Sequence, residues 1–371
     1  MESKREPVRV LHVLTGLSTG GAESFIMNMY RNMDREKVQF DFLLRSDENV
    51  YRDELEQMGS RVYTTASFPR NFIKNAFQTE RFFREHRYDI IHVHANALLY
   101  TFALSSAKRN GVSCRIIHSH NAAMAHMELL PIHTFNKKRI GKLATDFFAC
   151  SEDAGKWMFP GDFSVIHNAI DLNTYAYSPE KRTQVRTQLG IPKDAFVIGH
   201  IGRFVKQKNH AFLIETFHEV LQSKPEARLL LVGDGELRPE MEEKVEKLRI
   251  ADRVIFLGTR KDAADIINAF DLFVFPSLYE GLSIAALEAQ ANGLTIICSG
   301  AIPNQILFGN NAKKILLSEG PGTWAKHILC ADSTRRDMKM ELSEMGFDIQ
   351  EEAKKMQDFY TSKACRNYGE M

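Results

Sequence analysis

At 371 residues the chain is long enough for two or three domains, each burying its own core. Its 48 Lys and Arg against 47 Asp and Glu leave a net charge of +1, which argues against general nucleic-acid binding. No apolar run of roughly 18 residues is present and residues 1–7 resemble no signal peptide. The five cysteines, Cys114, Cys150, Cys298, Cys330 and Cys365, include no C-x-x-C pair, so a cytoplasmic protein with reduced thiols is expected.

Short apolar runs alternate with amphipathic stretches along the whole chain, the pattern of parallel sheets wrapped by helices. Strands are predicted at Val8–Leu14, Val38–Leu44, Arg61–Thr65, Asp89–Val93, Cys114–His118, Asp146–Cys150 and Ser164–His167. A polar stretch from Asp171 to Pro192 follows, and the pattern then restarts with strands at Phe196–Ile201, Arg228–Val232, Val254–Leu257, Asp271–Phe275 and Thr295–Cys298. The expected architecture is two doubly wound, Rossmann-like α/β domains facing across a cleft, residues 1–167 and 168–346. Residues 347–371 carry Ile349, Ala353, Met356 and Phe359 near helical spacing, as in a final helix that returns to the first domain.

Ligands of such sheets sit where strands end, so the strand-to-helix turns hold the candidate chemistry. Strand Val8–Leu14 runs into Thr15-Gly16-Leu17-Ser18-Thr19-Gly20-Gly21-Ala22-Glu23, where Gly20 and Gly21 allow close backbone approach; a plain tight turn is the alternative. The spacing does not match G-x-G-x-x-G, which excludes a dinucleotide fingerprint. His92, His94, His118 and His120 lie near one rim without a cysteine or carboxylate at recognisable metal spacing, so no metal is expected. His120 is the candidate for a sugar or phosphate contact, whereas His92 and His94 read as core or rim residues.

After strand Phe196–Ile201 come Gly202, Arg203 and Lys208, cations that suit a diphosphate, against the alternative of a solvated basic loop. The turn Leu257-Gly258-Thr259-Arg260 has room for a flat base or a ribose. Strand Asp271–Phe275 leads to Glu280, placed just before a helix, and to Glu288, placed two turns inside it. Between them Gly281, Leu282 and Ser283 offer N–H groups at the helix start, a seat for phosphate. Glu280 and Glu288 read alternatively as an acid favoured by the helix dipole and a solvated helix residue. No D-x-D pair closes a strand and no P-loop is present, which disfavours a nucleotide held through a bridging divalent ion.

Taken in order, Gly20-Gly21-Ala22-Glu23, His120-Asn121, Asn168-Ala169-Ile170-Asp171, Gly202-Arg203 with Lys208, Val232-Gly233-Asp234-Gly235, Phe256-Leu257-Gly258 and Pro276-Ser277 through Glu288-Ala289 resemble the retaining glycosyltransferases of family 4, which have the GT-B fold. The runs Ile297-Cys298-Ser299 to Ile302-Pro303 and Lys314 to Trp324 resemble the bacterial exopolysaccharide and capsule branch. The resemblance implies transfer of a hexose or N-acetylhexosamine from a nucleoside diphosphate sugar, with uridine as the base, without a metal or other cofactor. Arg203 and Lys208 would neutralise the diphosphate, Glu288 would bind the ribose, and Glu280 a hydroxyl of the transferred sugar. Gly281, Leu282 and Ser283 would touch phosphate and sugar, His120 the sugar, and Gly20 and Gly21 the phosphates or the acceptor. The joint reads Asn-Ala-Ile-Asp where the family has Asn-Gly-Val-Asp, and Asn121 stands in place of the usual Asp.

Such polymers are begun on lipid carriers, which makes reversible contact with the inner membrane leaflet an expectation. Two segments combine cations with apolar residues: His133–Leu143, with Phe135, Ile140 and Leu143, and Phe68–Lys74. Either reads alternatively as a helix with a solvated basic face. Two rival functions share the fold: a nucleotide-sugar isomerase or epimerase, and an inactive nucleotide-binding partner subunit.

Overall fold

The structure, a computed structural model, describes residues 6–18, 20–121, 127–280, 283–302, 307 and 311–365, with the backbone alone at 127 and 365. It divides into two compact units, one running to Ala169 and resuming at Asp348, the other Ile170–Phe347.

In the first unit β1 (Val8–Leu14), β2 (Val38–Leu44), β3 (Val62–Thr64), β4 (Ile90–Ala95), β5 (Cys114–Ser119), β6 (Asp146–Ala149) and β7 (Ser164–Val165) form one parallel sheet in the order β3-β2-β1-β4-β5-β6-β7. In the second, β8 (Val197–Ile201), β9 (Arg228–Val232), β10 (Val254–Gly258), β11 (Leu272–Phe275), β12 (Thr295–Ser299) and β13 (Ala312–Ile315) form another, in the order β10-β9-β8-β11-β12-β13. Each order reverses once, beside the first strand. The gaps between β1 and β4 and between β8 and β11 are therefore the switch points, where an open α/β sheet leaves a crevice beyond the strand ends.

The alternation of strand side chains explains why both faces of each sheet are covered. From β1, Val10 and Leu14 enter one apolar cluster while Leu11 and Val13 enter another on the opposite face. β11 divides in the same way, Phe273 and Phe275 to one cluster, Leu272 and Val274 to the other. Gly199 in β8 is fixed by packing, since a Cβ there would lie 2.0 Å from the Phe270 ring. The final helix, Ile349–Cys365, lies on the first sheet, with Ile349, Ala353, Met356 and Tyr360 in the cluster that holds Val10 and Phe40.

Predicted strand limits shift by no more than two residues. β13 was not foreseen: it is an edge strand whose Lys313 and Lys314 are exposed, so its sequence lacks an apolar run. A second correction concerns the helix after β11, which spans Ile284–Ala291 and not a segment starting beside Glu280. Glu288 therefore stands one turn inside it, and Glu280 lies in the preceding loop.

Candidate active site

The second unit brings Lys208 and Glu280 together at its switch point. The loops after β8 and β9 approach backbone to backbone: Gly233 has φ +135°, and a Cβ there would lie 2.1 Å from the Gly202 carbonyl oxygen, so only glycine fits. Residues Lys206–Lys208 form a single 3-10 turn that ends at Asn209, which has left-handed backbone (φ 56°) and opens helix His210–Leu221. Asn209 Nδ2 donates to the Pro276 carbonyl at 3.2 Å, Gln207 Nε2 donates to the Tyr279 carbonyl at 2.9 Å, and the Leu278 N–H donates to the Gln207 carbonyl at 2.8 Å. These bonds fasten the loop after β8 to the loop after β11.

The result is an ion pair. Lys208 Nζ donates to Glu280 Oε1 at 2.6 Å, and the side chains are only 17% and 6% exposed. The ammonium also lies 4.8 Å from the centre of the Phe275 ring. A buried pair of this kind is costly to desolvate and adds little net stability over apolar residues, so its value lies in holding a cation in a fixed place. An ammonium carries three donors, and the Glu280 bond uses one. Arg203, five residues earlier, is exposed and forms no ion pair among the described residues.

Glu288 is half-buried and accepts a hydrogen bond from the Tyr175 hydroxyl at 2.6 Å. Burial raises its carboxyl above the usual range, and the Tyr175 bond works against that rise. Tyr175 is held in turn by Asn292 Nδ2, which donates to its carbonyl at 2.9 Å. Its turn, Leu172–Tyr175, is capped by Asp171, whose carboxylate accepts from the N–H groups of Asn173 and Thr174. Ser283 is the buried N-cap of helix Ile284–Ala291 in extended conformation, whereas Gly281 and Leu282 lie outside the described residues. Gly258 (φ +65°) ends β10 and Thr259 follows it, two strands away from β8.

At the switch point of the first unit lies a cavity of about 670 Å³, reached by Leu14 and Thr15 at the end of β1 and by His94 to Ala97 at the end of β4. His120 and Glu23 also line it. Gly20 precedes helix Gly21–Arg31, and a Cβ on it would lie 2.4 Å from Glu23 Oε2, so the glycine makes room for the acid to fold back over the helix start. Gly21 has open space around it.

Beneath the cavity the sheet carries a ladder of five histidines on the face covered by the final helix. β1 and β4 set His12 opposite His92, and β4 and β5 set His94 opposite His118. His12 Nδ1 lies 2.9 Å from His94 Nε2, and His94 Nδ1 lies 2.8 Å from His120 Nε2. A second chain runs from the Tyr360 hydroxyl, 2.6 Å from His92 Nδ1, to His118 Nδ1, 3.1 Å from His92 Nε2. Burial pushes His12 and His120 down to about 3, and holds His92, His94 and His118 well below the usual histidine range. Two triplets, His12-His92-His94 and His94-His118-His120, bring ligating nitrogens within 4.8 Å of one another. The ring-to-ring bonds already engage most of those nitrogens, and neither triplet includes a carboxylate or a thiolate.

Sequence reasoning named four of the five histidines and missed His12, although its partner position on β1 is visible once β1 and β4 are neighbours. It also missed Tyr175, Tyr360 and Arg45, whose partners are remote in the chain. The expected membrane segment His133–Leu143 is corrected in part. Ile140 is fully buried, His133 is buried against Trp157, and Lys137 Nζ donates to the carbonyls of Lys156 and Trp157. Phe135 remains exposed, as does Ile132, which the sequence reading had passed over. On the other segment Phe72, Ile73 and nearby Phe77 are exposed beside Arg70 and Lys74.

The sequence profile for Glycosyltransferase Family 4 matches residues 19–174, and that for Glycosyl transferases group 1 matches residues 195–331. Over 363 residues the chain is 34% identical to the putative glycosyltransferase EpsF of Bacillus subtilis, covering 92% of this chain and 94% of that protein. It is 25% identical to the Escherichia coli UDP-Gal:alpha-D-GlcNAc-diphosphoundecaprenol alpha-1,3-galactosyltransferase over 85% of this chain and 86% of that one. Among solved structures, Anabaena HepE in complex with UDP superposes with a TM-score of 0.71 at 19% identity, over 98% of this chain and all (100%) of that one. A glycosyltransferase from Rickettsia africae gives a TM-score of 0.78 at 14% identity, over 97% and 99% of the two chains. With the two doubly wound sheets and these matches in hand, the chain belongs to glycosyltransferase family 4 and has the GT-B fold.

Proposed function

We propose that this glycosyltransferase takes a hexose or N-acetylhexosamine from a UDP-sugar and adds it, with retention and without a divalent metal, to a lipid-linked saccharide of an exopolysaccharide or capsule. The observation that carries this reading is the Lys208–Glu280 pair at the β8/β11 switch point. A cation fixed there by a buried carboxylate suits the diphosphate of a departing nucleotide, and exposed Arg203 adds a bidentate fork as the donor enters. Glu280, freed in part as Lys208 turns to phosphate, accepts a hydroxyl of the sugar. The Glu288 carboxylate, oriented by Tyr175, accepts from the ribose hydroxyls, and Ser283 at the helix start meets phosphate. Gly258 and Thr259 border the base. With two cationic side chains available, charge on the leaving diphosphate needs no magnesium. Attack from the face that the nucleotide leaves lets a phosphate oxygen take the acceptor proton, so no second catalytic carboxylate is required.

In the first unit His120 meets the sugar, while Gly20 and Gly21 face phosphate or acceptor. The choice of UDP and of a lipid-linked acceptor leans on the E. coli relative, whose name gives both, and on HepE, solved with UDP. The exposed Phe72, Ile73 and Phe77 with Arg70 and Lys74 suit shallow contact with an anionic leaflet at the cytoplasmic face. The test is transfer from UDP-, GDP- and ADP-sugars to a diphosphate-linked acceptor with EDTA present, the anomeric configuration of the product being read by NMR. Retained configuration with a UDP-sugar is expected. An inverted product, loss of transfer on chelation, or turnover of donor without acceptor would each overturn the corresponding part.

A further inference from the structure

The cavity of the first unit contains a charge that nothing described above uses. Arg45 follows β2, and its guanidinium lies with its carbon 4.0 Å from the centre of the Tyr100 ring and 6.0 Å from that of Phe68. The only hydrogen bond of the guanidinium among the described residues runs from a terminal nitrogen to Thr15 Oγ1 at 3.0 Å. Nε is buried without a partner, and Arg45 belongs to no ion pair among the described residues. Burial accordingly lowers its affinity for a proton, opposed only by the neighbouring Tyr100 and by no carboxylate. Arg45 is half-buried, and an arginine withdrawn this far from water is ordinarily paired, because an uncompensated cation there is costly. Here it faces a cavity of about 670 Å³ walled by Phe68, Tyr100, Leu99 and Leu129. Ile132, which is 49% exposed, also lines the cavity.

We infer that Arg45 seats a phosphate of the acceptor, and that the acceptor is a saccharide joined through phosphate to an apolar chain. The inference rests on the proposed transferase reading and adds to it the residue that reads the linkage. Planar guanidinium and phosphate match in geometry, with the terminal nitrogens offering two donors. The aromatic and aliphatic wall takes the first segments of the chain, and Asn96 and Glu23, on the β1/β4 side of the same cavity, suit saccharide hydroxyls. Donor phosphate is served in the other unit by Lys208 and Arg203, so the two anions have separate seats.

Farnesyl diphosphate, farnesol and inorganic pyrophosphate are the probes. Their binding to the full chain and to its R45M and R45K variants is measured by titration calorimetry, with UDP in excess to fill the donor seat. Wild-type protein is expected to bind farnesyl diphosphate at least about 10-fold more tightly than farnesol, the range of one or two charged hydrogen bonds. R45M should lose that preference and R45K keep part of it. Equal binding of farnesyl diphosphate and farnesol by the wild type, or an undiminished preference in R45M, overturns the inference. Pyrophosphate binding as tight as farnesyl diphosphate overturns its amphipathic half and points to a soluble phosphate. UDP titrated alone separates the two readings: absent UDP binding refutes the donor assignment, whereas normal UDP binding with a lost lipid preference in R45M isolates Arg45.

Discussion

The histidine ladder makes the first unit acid-labile, by an amount that can be worked out for a single ring. His12 is 2% exposed, is pushed down to about 3, and sits 3.9 Å from the centre of the Phe40 ring. In the unfolded chain its imidazole titrates near 6.5, so below that pH the unfolded state takes up a proton that the folded state refuses. The stability conferred by the neutral ring is therefore intact above about 6.5 and falls as the pH drops from there toward about 3. Between pH 7 and pH 5 the protonation factor of an ordinary histidine rises about 25-fold, which corresponds to about 2 kcal/mol per ring. His12→Phe keeps the ring stacking and removes one such term. It should be less stable than wild type at pH 7 by about 1–3 kcal/mol, because His94 Nε2 loses its partner. Its further loss on acidification should nevertheless be about 2 kcal/mol smaller than that of the wild type. Hydrogen exchange of the Val8–Leu14 and Ile90–Ala95 amides, corrected for intrinsic rate, reads both numbers within the first unit. Identical pH dependence in the variant and the wild type would refute the claim that the buried ring is neutral.

Four further outcomes are expected. Lys208→Ala should lower turnover by about 10²–10³-fold in a steady-state transfer assay, since it removes a fixed charge facing the leaving diphosphate, and near wild-type turnover would contradict its role. Tyr175→Phe takes away the bond that opposes the burial of Glu288, so the carboxyl should move further upward and the acid limb of UDP binding should shift to higher pH in calorimetric titrations. Gly199→Ala forces a methyl against the Phe270 ring and should destabilise the second unit by about 1–3 kcal/mol in urea denaturation; a neutral effect would show that the ring has room to retreat. Liposome flotation should depend on anionic lipid and should weaken when Ile73 and Phe77 are changed to Ser; flotation unaltered by those changes would remove the surface from consideration.

The parallel sheets were legible because central strands of such folds are buried on both faces and write near-continuous apolar runs, as in Leu272-Phe273-Val274-Phe275. β13 was not, because an edge strand with Lys313 and Lys314 facing water obeys no such rule. For the candidate site, Glu280 and Lys208 could be named from their places after strands, but their pairing depends on β8 and β11 being neighbours, which chain order does not dictate. The same holds for His12 beside His92. Arg45 left no local mark at all: a cation at a strand end is commonplace, and its meaning arises from aromatic neighbours 23 and 55 residues away and from the lack of an ion pair among the described residues. The helix after β11 was placed too early because Ser283 is extended, a choice made by the loop and not by helix propensity.

The return of the final helix to the first sheet has a consequence for biosynthesis. Tyr360 and Met356 leave the ribosome some 350 residues after the first strand, yet they close the apolar face over it. The intervening unit, contiguous from Ile170 to Phe347, can mature as soon as it is synthesised, while its predecessor waits with an uncovered flank. A nascent chain arrested before residue 349 would thus present a finished second unit behind an unfinished first one, inverting the usual order of vectorial assembly.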